Sequence, residues 1–207
     1  MARILDIKCK LCRREGKKLF LKSKRCFGPK CPIDKKGAVP PGAHGQRRRS
    51  RVSEFGLQLR EKQKVKRIYG VNEKQMKASF LKSKKTSGKS TGDYLLGLLE
   101  MRLDNVVFRA GFTPSRSVAR QLVAHGHFLV DGKRADIPSY RVQKDQVVSL
   151  SPKALEIPVV KVSLEEKIAA PKWLEKKGPA AKVLRMPDKK EIDADVNQQL
   201  IVEFYSR

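Results

Sequence analysis

Helical periodicity is clearest between residues 53 and 85. Val65 and Tyr69 lie one helical turn apart on one apolar stripe, and a glycine follows directly. Asn72 and Gln75 then have the spacing of a capping box, in which each side chain bonds the backbone N–H of the other. The pattern therefore predicts two consecutive helices in this segment, followed by a polar linker.

Helical and extended patterns alternate within residues 92–162. The apolar stretch DYLLGLLEMRL (93–103) predicts a helix, and DNVVFRAG (104–111) can restart it as a short one. Thr113 followed by proline predicts the N-cap of a further helix, and Gly126 fits the end of that helix.

A hairpin and a further strand complete this block. HFLV (127–130) and KRADI (133–137) flank an Asp-Gly dipeptide, which favours a tight two-residue turn. DQVVSLS (145–151) predicts another strand. The order of two helices, hairpin and strand predicts a compact α+β unit.

The last segment, residues 163–207, has a mixed pattern. Ser163 and Glu166 are spaced as a capping box, which predicts a helix N-terminus there. Prolines between residues 171 and 187 break the middle into extended pieces, since proline lacks the backbone N–H. The terminal NQQLIVEFYSR (197–207) is apolar enough to dock on another element.

These patterns predict an α+β fold of three parts. The parts are an N-terminal region over residues 1–45, a mainly helical domain over residues 46–91 and 163–207, and a small α+β module over residues 92–162. The module is thus inserted before a C-terminal segment that docks back. The N-terminus lacks an apolar run long enough for a signal peptide, and no stretch approaches the roughly 20 apolar residues of a membrane span. We therefore expect a cytoplasmic protein without a membrane partner.

The chain is strongly basic, with 47 basic against 21 acidic residues and a formal net charge of +26. Residues 1–51 carry 17 basic and 3 acidic side chains, and residues 52–91 carry 11 and 3. Such an excess needs a counter-charge, for which nucleic acid is the usual source and an anionic membrane the next candidate. Aromatic residues make up only 6% of the chain, which argues against a protein that binds single strands mainly by base stacking.

All four cysteines lie within one basic stretch, CKLCRREGKKLFLKSKRCFGPKC (9–31). Cys9 and Cys12 form a C-x2-C pair, and Cys26 and Cys31 form a C-x4-C pair thirteen residues later. This spacing is typical of structural zinc sites with four thiolates. We predict one structural zinc ion that organises the N-terminal region into a knot in place of a hydrophobic core.

Three alternatives remain for the cysteines. They could be unligated thiols, a redox or disulfide pair, or ligands of an iron–sulfur cluster. A reducing compartment disfavours disulfides. A catalytic zinc keeps an open position with three protein ligands, whereas four cysteines close the shell. The knot is therefore expected to be structural rather than catalytic.

A second basic group lies within the α+β module. Arg116 and Arg120 share one helix face, while Lys133 and Arg134 flank the hairpin turn. Serines at the same helix's N-terminal turn lie where backbone N–H groups and the helix dipole favour phosphate. The alternative is that the two arginines only solvate an exposed helix face.

At these residues the sequence resembles a known family. RLDNVVFRAGF and SRSVARQLVAHGHFLVDGKR strongly resemble the core of small-subunit ribosomal protein four, the S-four family. PPGAHGQRRRSRVSEFGLQLREKQKVKRIYGVNEKQ and LIVEFYSR resemble its joining arm, first helices and C-terminus. The cysteine spacing is similar to that of its zinc-binding bacterial members, although many members lack the cysteines. The resemblance covers essentially the whole chain.

The resemblance implies a binding protein rather than an enzyme. Members bind the 5′ domain of small-subunit ribosomal RNA at a junction of several helices and nucleate subunit assembly. They lie in the cytoplasmic ribosome beside neighbouring small-subunit proteins, where messenger RNA enters, and support translational accuracy. Some bacterial members also repress their own messenger.

RNA contacts are predicted for sixteen basic residues. The resemblance, matched segment by segment, implies RNA contacts in the arm, in the helix after it and in the module. These contacts are Arg47, Arg48, Arg49, Arg51, Lys62, Lys66, Arg116, Arg120, Lys133 and Arg134. The basic residues around the cysteines are expected to face RNA as well, namely Lys10, Arg13, Arg14, Lys22, Lys24 and Arg25.

Two other functional classes fit less well. An RNA-modifying enzyme such as a pseudouridine synthase can carry this module as a targeting tail, but only 45 residues follow residue 162, which leaves no room for an ordinary catalytic domain. A zinc-dependent DNA-binding regulator is the other, and it would prefer duplex DNA over folded RNA.

Overall fold

The computed structural model describes residues 7–45, 52–85, 90–166, 169–192 and 195–207. The chain divides into two compact units, which we call unit 1 (Met1–Gly92 with Ala194–Arg207) and unit 2 (Asp93–Asp193). Unit 1 is helical and unit 2 combines helices with one antiparallel sheet, so the predicted α+β class is confirmed. No helix within the described ranges is long and apolar enough to cross a bilayer.

Unit 1 consists of helices. In chain order they are α1 (Lys8–Glu15), a 3-10 turn (Ser23–Cys26), α2 (Pro32–Lys36), α3 (Glu54–Tyr69), α4 (Glu73–Lys84) and α10 (Gln198–Ser206).

The two helices predicted between residues 53 and 85 are confirmed as α3 and α4. Gly70 ends α3 at a φ of 63°, a left-handed conformation that glycine adopts without a steric cost. The capping box also forms, because Asn72 Oδ1 accepts from the Gln75 N–H at 2.8 Å.

The C-terminal helix α10 packs against α3. Gln58 Nε2 donates to Glu203 Oε2 at 3.0 Å, and the Phe55 and Phe204 ring centroids are 5.7 Å apart. Ile201 is almost completely buried in this contact region of unit 1. Burial of apolar area along α10 therefore ties the end of the chain to the helices that follow the N-terminal region.

Unit 2 contains the remaining elements. They are α5 (Thr91–Glu100), which begins two residues before the unit, α6 (Leu103–Arg109), α7 (Arg116–Ala124), β1 (Phe128–Val130), β2 (Lys133–Arg134), β3 (Val147–Leu150), α8 (Pro152–Leu155), α9 (Pro158–Glu165), β4 (Leu174–Lys177), β5 (Ala180–Val183) and a second 3-10 turn (Lys189–Glu191). The sheet has the strand order β2-β1-β3-β5-β4, with every neighbouring pair antiparallel.

The core of unit 2 lies between this sheet and the helices. Its largest members are Trp173, Phe112 and Phe128, which are each at most 1% exposed. The hairpin of β1 and β2 and the strand β3 occur where the sequence predicts them, with Val130 opposite both Lys133 and Val148.

The segment after residue 162 differs from its predicted placement. Strand β5 pairs with β3, with Val148 opposite Ala181, so residues 169–192 belong to unit 2 and not to the helical domain. Pairing satisfies the edge of β3, which would otherwise present unpaired backbone groups, and it buries Ala181 and Val183. Only the last residues, from 194 onward, return to unit 1.

Two predicted N-caps are also corrected. Helix α7 is capped by Ser115, whose hydroxyl accepts from the Val118 N–H, and not by Thr113. Ser163 lies inside α9, where its hydroxyl donates to the Val159 carbonyl at 2.9 Å. The capping-box spacing there is coincidental, because α9 already begins at Pro158.

Candidate nucleic-acid interface and cysteine site

The four cysteines come together at one end of unit 1. Cys9 and Cys12 lie on α1, Cys26 ends the 3-10 turn, and Cys31 is the N-cap of α2. All four line a single cavity of about 20 Å³, which has room for one water-sized body. None of the four forms a disulfide. The short helices and the loop between them therefore gather four thiols around one small space.

The electrostatics of the cavity determine how readily the thiols ionise. Burial raises the pKa of Cys12, the Leu19 backbone N–H opposes this rise, and the charges of the other three cysteines add to it. The Lys22 N–H donates to Cys26 Sγ at 3.2 Å. N–H groups aimed at sulfur stabilise thiolates, whereas several thiolates in one cavity repel each other unless a cation lies among them.

The donor set fits a four-sulfur metal ion in its chemistry. However, the described ranges hold no group of three or more Cys, His, Asp or Glu side chains already arranged as a metal site. The predicted zinc ion therefore stays a prediction, to be tested on the protein itself.

Around the cysteines, most of the predicted RNA-contact residues are exposed. Lys10, Arg14, Lys24 and Arg25 are exposed, and Lys22 is partly buried. This part of unit 1 thus presents a basic surface that is supported by the cysteine cluster.

Arg13 has a structural task that the sequence did not indicate. Its Nε donates to the Val39 carbonyl at 2.7 Å and its Nη2 to the Pro40 carbonyl at 2.9 Å. These bonds tie the loop after α2 back to α1. Arg13 is therefore assigned to holding the N-terminal region together. The predicted arm contacts Arg47, Arg48, Arg49 and Arg51 lie outside the described residues.

Lys62 and Lys66, both predicted to contact RNA, lie beside the carboxylate of Glu73. Lys62 Nζ lies 3.0 Å from Glu73 Oε1 and 4.1 Å from the centroid of the Phe204 ring, and the residue is only 6% exposed. Lys66 Nζ lies 2.6 Å from Glu73 Oε2. Both lysines join α3 to α4, and Lys62 also supports α10.

The Glu73 carboxylate is held in its charged form by these neighbours. Burial alone would raise the pKa of Glu73, but hydrogen bonds from Lys66, Tyr205 and Lys62 lower it to about 2. The carboxylate is thus ionised at neutral pH and engages both ammonium groups at once. An α3 lysine that looks solvent-facing in the sequence is in this way enclosed by groups from two other helices.

In unit 2, Arg116 and Arg120 are partly buried on α7, Arg116 at its first residue and Arg120 one turn later. Arg116 Nε donates to Asn105 Oδ1 at 2.6 Å, and its guanidinium lies 4.6 Å from the centroid of the Phe108 ring. Arg120 Nε lies 3.9 Å from Asp104 Oδ2. Neither arginine only solvates an exposed face, because both side chains are fixed against α6.

Two buried carboxylates hold these arginines, and sequence reasoning missed both. Glu100 accepts from Arg109 Nε at 3.0 Å and lies 3.8 Å from Arg116 Nη2. Asp104 pairs with Arg102 through two bonds of 3.1 and 2.9 Å. The signal that could have found them is two acidic residues within the apolar run LLEMRLDN, because charged residues are rarely buried without a partner.

The hairpin cations lie toward the other end of α7. Lys133 and Arg134 are exposed on β2. The Arg134 guanidinium lies over Gly126, so closely that a Cβ there would overlap it, and the φ of +74° at Gly126 is itself suited to glycine. The predicted basic group of the module is thus spread along α7, with Arg116 at its start, Arg120 in its middle and the hairpin near its end.

Comparisons with known proteins cover the whole chain. A family model described as "Ribosomal protein S4/S9 N-terminal domain" matches residues 3–100, and one described as "S4 domain" matches residues 101–148. The small ribosomal subunit protein uS4 of Acidothermus cellulolyticus is 51% identical over 211 residues. Proteins of the same name from Clostridium tetani and Thermus thermophilus are 49% identical over 209 residues and 46% identical over 211 residues. Each of the three alignments covers 100% of both chains.

Proposed function

This chain belongs to the small ribosomal subunit protein uS4 family, and from this premise we propose that it binds small-subunit ribosomal RNA and is a structural constituent of that subunit. Its work is binding rather than catalysis. It acts in the ribosome, where its partners are the RNA and the neighbouring small-subunit proteins.

The observation that carries this proposal is the excess of positive charge on the folded N-terminal region. Residues 7–45 contain twelve basic and two acidic side chains. Both acidic side chains are already paired inside unit 1, Glu15 with Arg67 and Arg60, and Asp34 with Lys18 at 2.7 Å. Lys17 also pairs with Asp195. The basic side chains still outnumber these carboxylates, and Lys10, Arg14, Lys24, Arg25 and Lys30 are exposed. Folded RNA, read mainly by its shape and phosphate positions, supplies that counter-charge.

A binding competition tests the proposal. The full chain should bind a fragment of the 5′ domain of small-subunit ribosomal RNA more tightly than an unrelated folded RNA of equal length, and more tightly than duplex DNA. Filter binding or fluorescence anisotropy at one fixed salt concentration measures the three affinities. Equal affinity for all three nucleic acids would leave only non-specific attraction, and a preference for duplex DNA would favour the regulator hypothesis.

The finer function follows from the same family. We infer that the chain binds at the junction of several helices in the 5′ domain, nucleates subunit assembly there, and supports accuracy where messenger RNA enters. Support comes from the arrangement of its cations, which lie on two units and not on one face of a single helix. Basic residues on two separately folded units can each engage RNA phosphates.

We further propose that the four cysteines hold one structural zinc ion. The support is a donor set of four thiols around one small cavity, with backbone N–H groups directed at two of the sulfurs. Zinc with four thiolates carries a formal charge of about −2, which the surrounding lysines and arginines offset. An iron–sulfur cluster is the less favoured occupant.

Replacement of Cys9 or Cys31 by serine should remove the metal and disorder residues 7–45, while unit 2 stays folded. Elemental analysis should fall from one zinc per chain to none, and limited proteolysis should cut the N-terminal region first. Chelation of the unmodified chain should reproduce the same cleavage pattern. Iron in place of zinc would establish the cluster instead. Full protease resistance in a metal-free variant would show that the knot does not depend on metal.

A further inference from the structure

Phe27 is the most exposed large hydrophobic residue in the part of the chain that the structure describes. It is 75% exposed, compared with 57% for Ile7 and 55% for Val52. Single exposed apolar side chains are common and need no explanation by themselves. The surroundings of Phe27, however, differ from those of an ordinary surface residue in two respects.

First, Phe27 is backed by a second ring. The Phe20 and Phe27 ring centroids are 5.0 Å apart with an interplanar angle of 26°, so the two rings stack. Phe20 has a φ of 50°, a left-handed conformation that is rare for a bulky residue and costs energy. The loop between α1 and the 3-10 turn thus adopts an unfavourable backbone to hold Phe20 beneath Phe27.

The cysteine cavity explains one of these rings and not the other. Phe20 lines the cavity together with the four thiols, whereas Phe27 lies outside its lining. Packing of the knot therefore accounts for part of the Phe20 ring, which is 45% exposed. It leaves Phe27 as a ring supported from one side and open to solvent over most of its surface.

Second, the ring lies in a segment of one charge. Residues 16–33 contain six basic side chains and no acidic one. Lys24, Arg25 and Lys30 lie within three residues of Phe27, and all three are exposed. An apolar protein surface docking on Phe27 would have to desolvate these cations. A nucleotide would instead place its base on the ring and its phosphates beside the ammonium and guanidinium groups.

We propose that Phe27, supported by Phe20, is a stacking site for one unpaired nucleobase of the RNA, with Lys24, Arg25 and Lys30 contacting the flanking phosphates. The site rests on the proposed function, since it needs RNA as the partner, and it adds a base contact to a surface otherwise made of phosphate contacts. One such site is compatible with the low aromatic content of the chain, because unpaired bases in loops and bulges are read singly.

Substitution of Phe27 separates stacking from charge. Phe27→Leu should weaken binding of the full chain to the 5′ domain RNA fragment by roughly 5- to 100-fold, since it removes a π-face and keeps an apolar side chain. Phe27→Tyr should retain the wild-type affinity. Plots of log affinity against log salt should be parallel for wild type and Phe27→Leu, because stacking releases no counter-ions. Phe55→Leu, at an exposed phenylalanine that contacts Phe204, should leave the affinity unchanged.

A fluorescent variant gives an independent measurement. In Phe27→Trp, the indole should be quenched when the RNA fragment binds, whereas the single native tryptophan, Trp173, is buried and should change little. Metal content and proteolysis matching the wild type establish that each variant is folded.

The outcomes are distinct. If the wild type binds the RNA while Phe27→Leu binds equally well and Phe27→Trp is not quenched, the stacking site is overturned and the proposed function stands. Unchanged RNA affinity with impaired incorporation into subunits would assign Phe27 to a protein neighbour and also overturn it. If the wild type does not bind the RNA, the proposed function and the stacking site both fall.

Discussion

Replacement of Glu100 by alanine is expected to destabilise unit 2 by about 3–5 kcal/mol, the cost of leaving a buried charge without its partner. The Glu100 side chain is 1% exposed, and its carboxylate accepts from Arg109 at 3.0 and 3.1 Å and from Asn105 at 2.6 Å. Arg116 Nη2, on α7, lies 3.8 Å from Glu100 Oε1. Removal of the carboxylate leaves the guanidinium groups of Arg109 and Arg116 without this negative charge in a poorly solvated environment.

Urea denaturation followed by the fluorescence of Trp173 measures this change, because Trp173 is the single tryptophan and belongs to the core of unit 2. The matched control is Glu175→Ala. Glu175 pairs with Lys177 at 2.8 Å, but the two side chains are 43% and 81% exposed, so its loss should cost less than about 1 kcal/mol. Similar losses for the two variants would contradict a structural role for the buried network.

The same network shows why part of unit 2 was not predictable. A carboxylate within an apolar run predicts that some partner exists, but not which one. The arginine partners of Glu100 lie nine and sixteen residues later, Arg109 at the end of α6 and Arg116 at the start of α7, and the turn between these helices brings Arg116 back. Only tertiary packing decides that Arg116 faces α6, although its helical position was read correctly from the sequence.

Local signals, in contrast, predicted local structure well. The capping box at Asn72 and the glycine after Tyr69 depend on bonds within a few residues, and both form as predicted. The Asp-Gly hairpin is a similar case, with Val130 opposite Lys133. A capping signal fails where the helix has already begun upstream. Ser163 and Glu166 have the spacing of a capping box, but α9 begins at Pro158.

Long-range pairing accounts for the misplaced C-terminal segment. The strands β4 and β5 contain several lysines and two alanines, which have weak strand propensity. They form because β3 offers an open edge and the core accepts Ala181 and Val183. The burial of Lys62 was not predictable for a comparable reason, since the residues that enclose it come from α4 and α10. Neither effect is visible in a window of neighbouring residues.

The affinity of the chain for small-subunit ribosomal RNA is expected to fall by about 10³- to 10⁵-fold between 50 and 200 mM salt, as for proteins that make six to ten phosphate contacts. The physical reason is counter-ion release, since each lysine or arginine that neutralises a phosphate frees a condensed cation. A net charge of +26, with outward-facing cations in residues 7–45, supports that number of contacts. Titrations of labelled RNA across a salt series give the slope of log affinity against log salt.

Variants of two lysines test this explanation further, because one of the lysines is exposed and the other is buried. Lys133 is exposed on β2, so Lys133→Gln should reduce the slope by about one phosphate contact. Lys62 is 6% exposed and bonded to Glu73, so Lys62→Gln should lower the stability of unit 1 and leave the slope unchanged. If the affinity of the wild type for RNA did not change with salt concentration, the electrostatic explanation of binding would be wrong. A reduced slope for Lys62→Gln in the folded state would show that this lysine leaves Glu73 to reach the RNA, and the interior assignment of Lys62 would then be wrong.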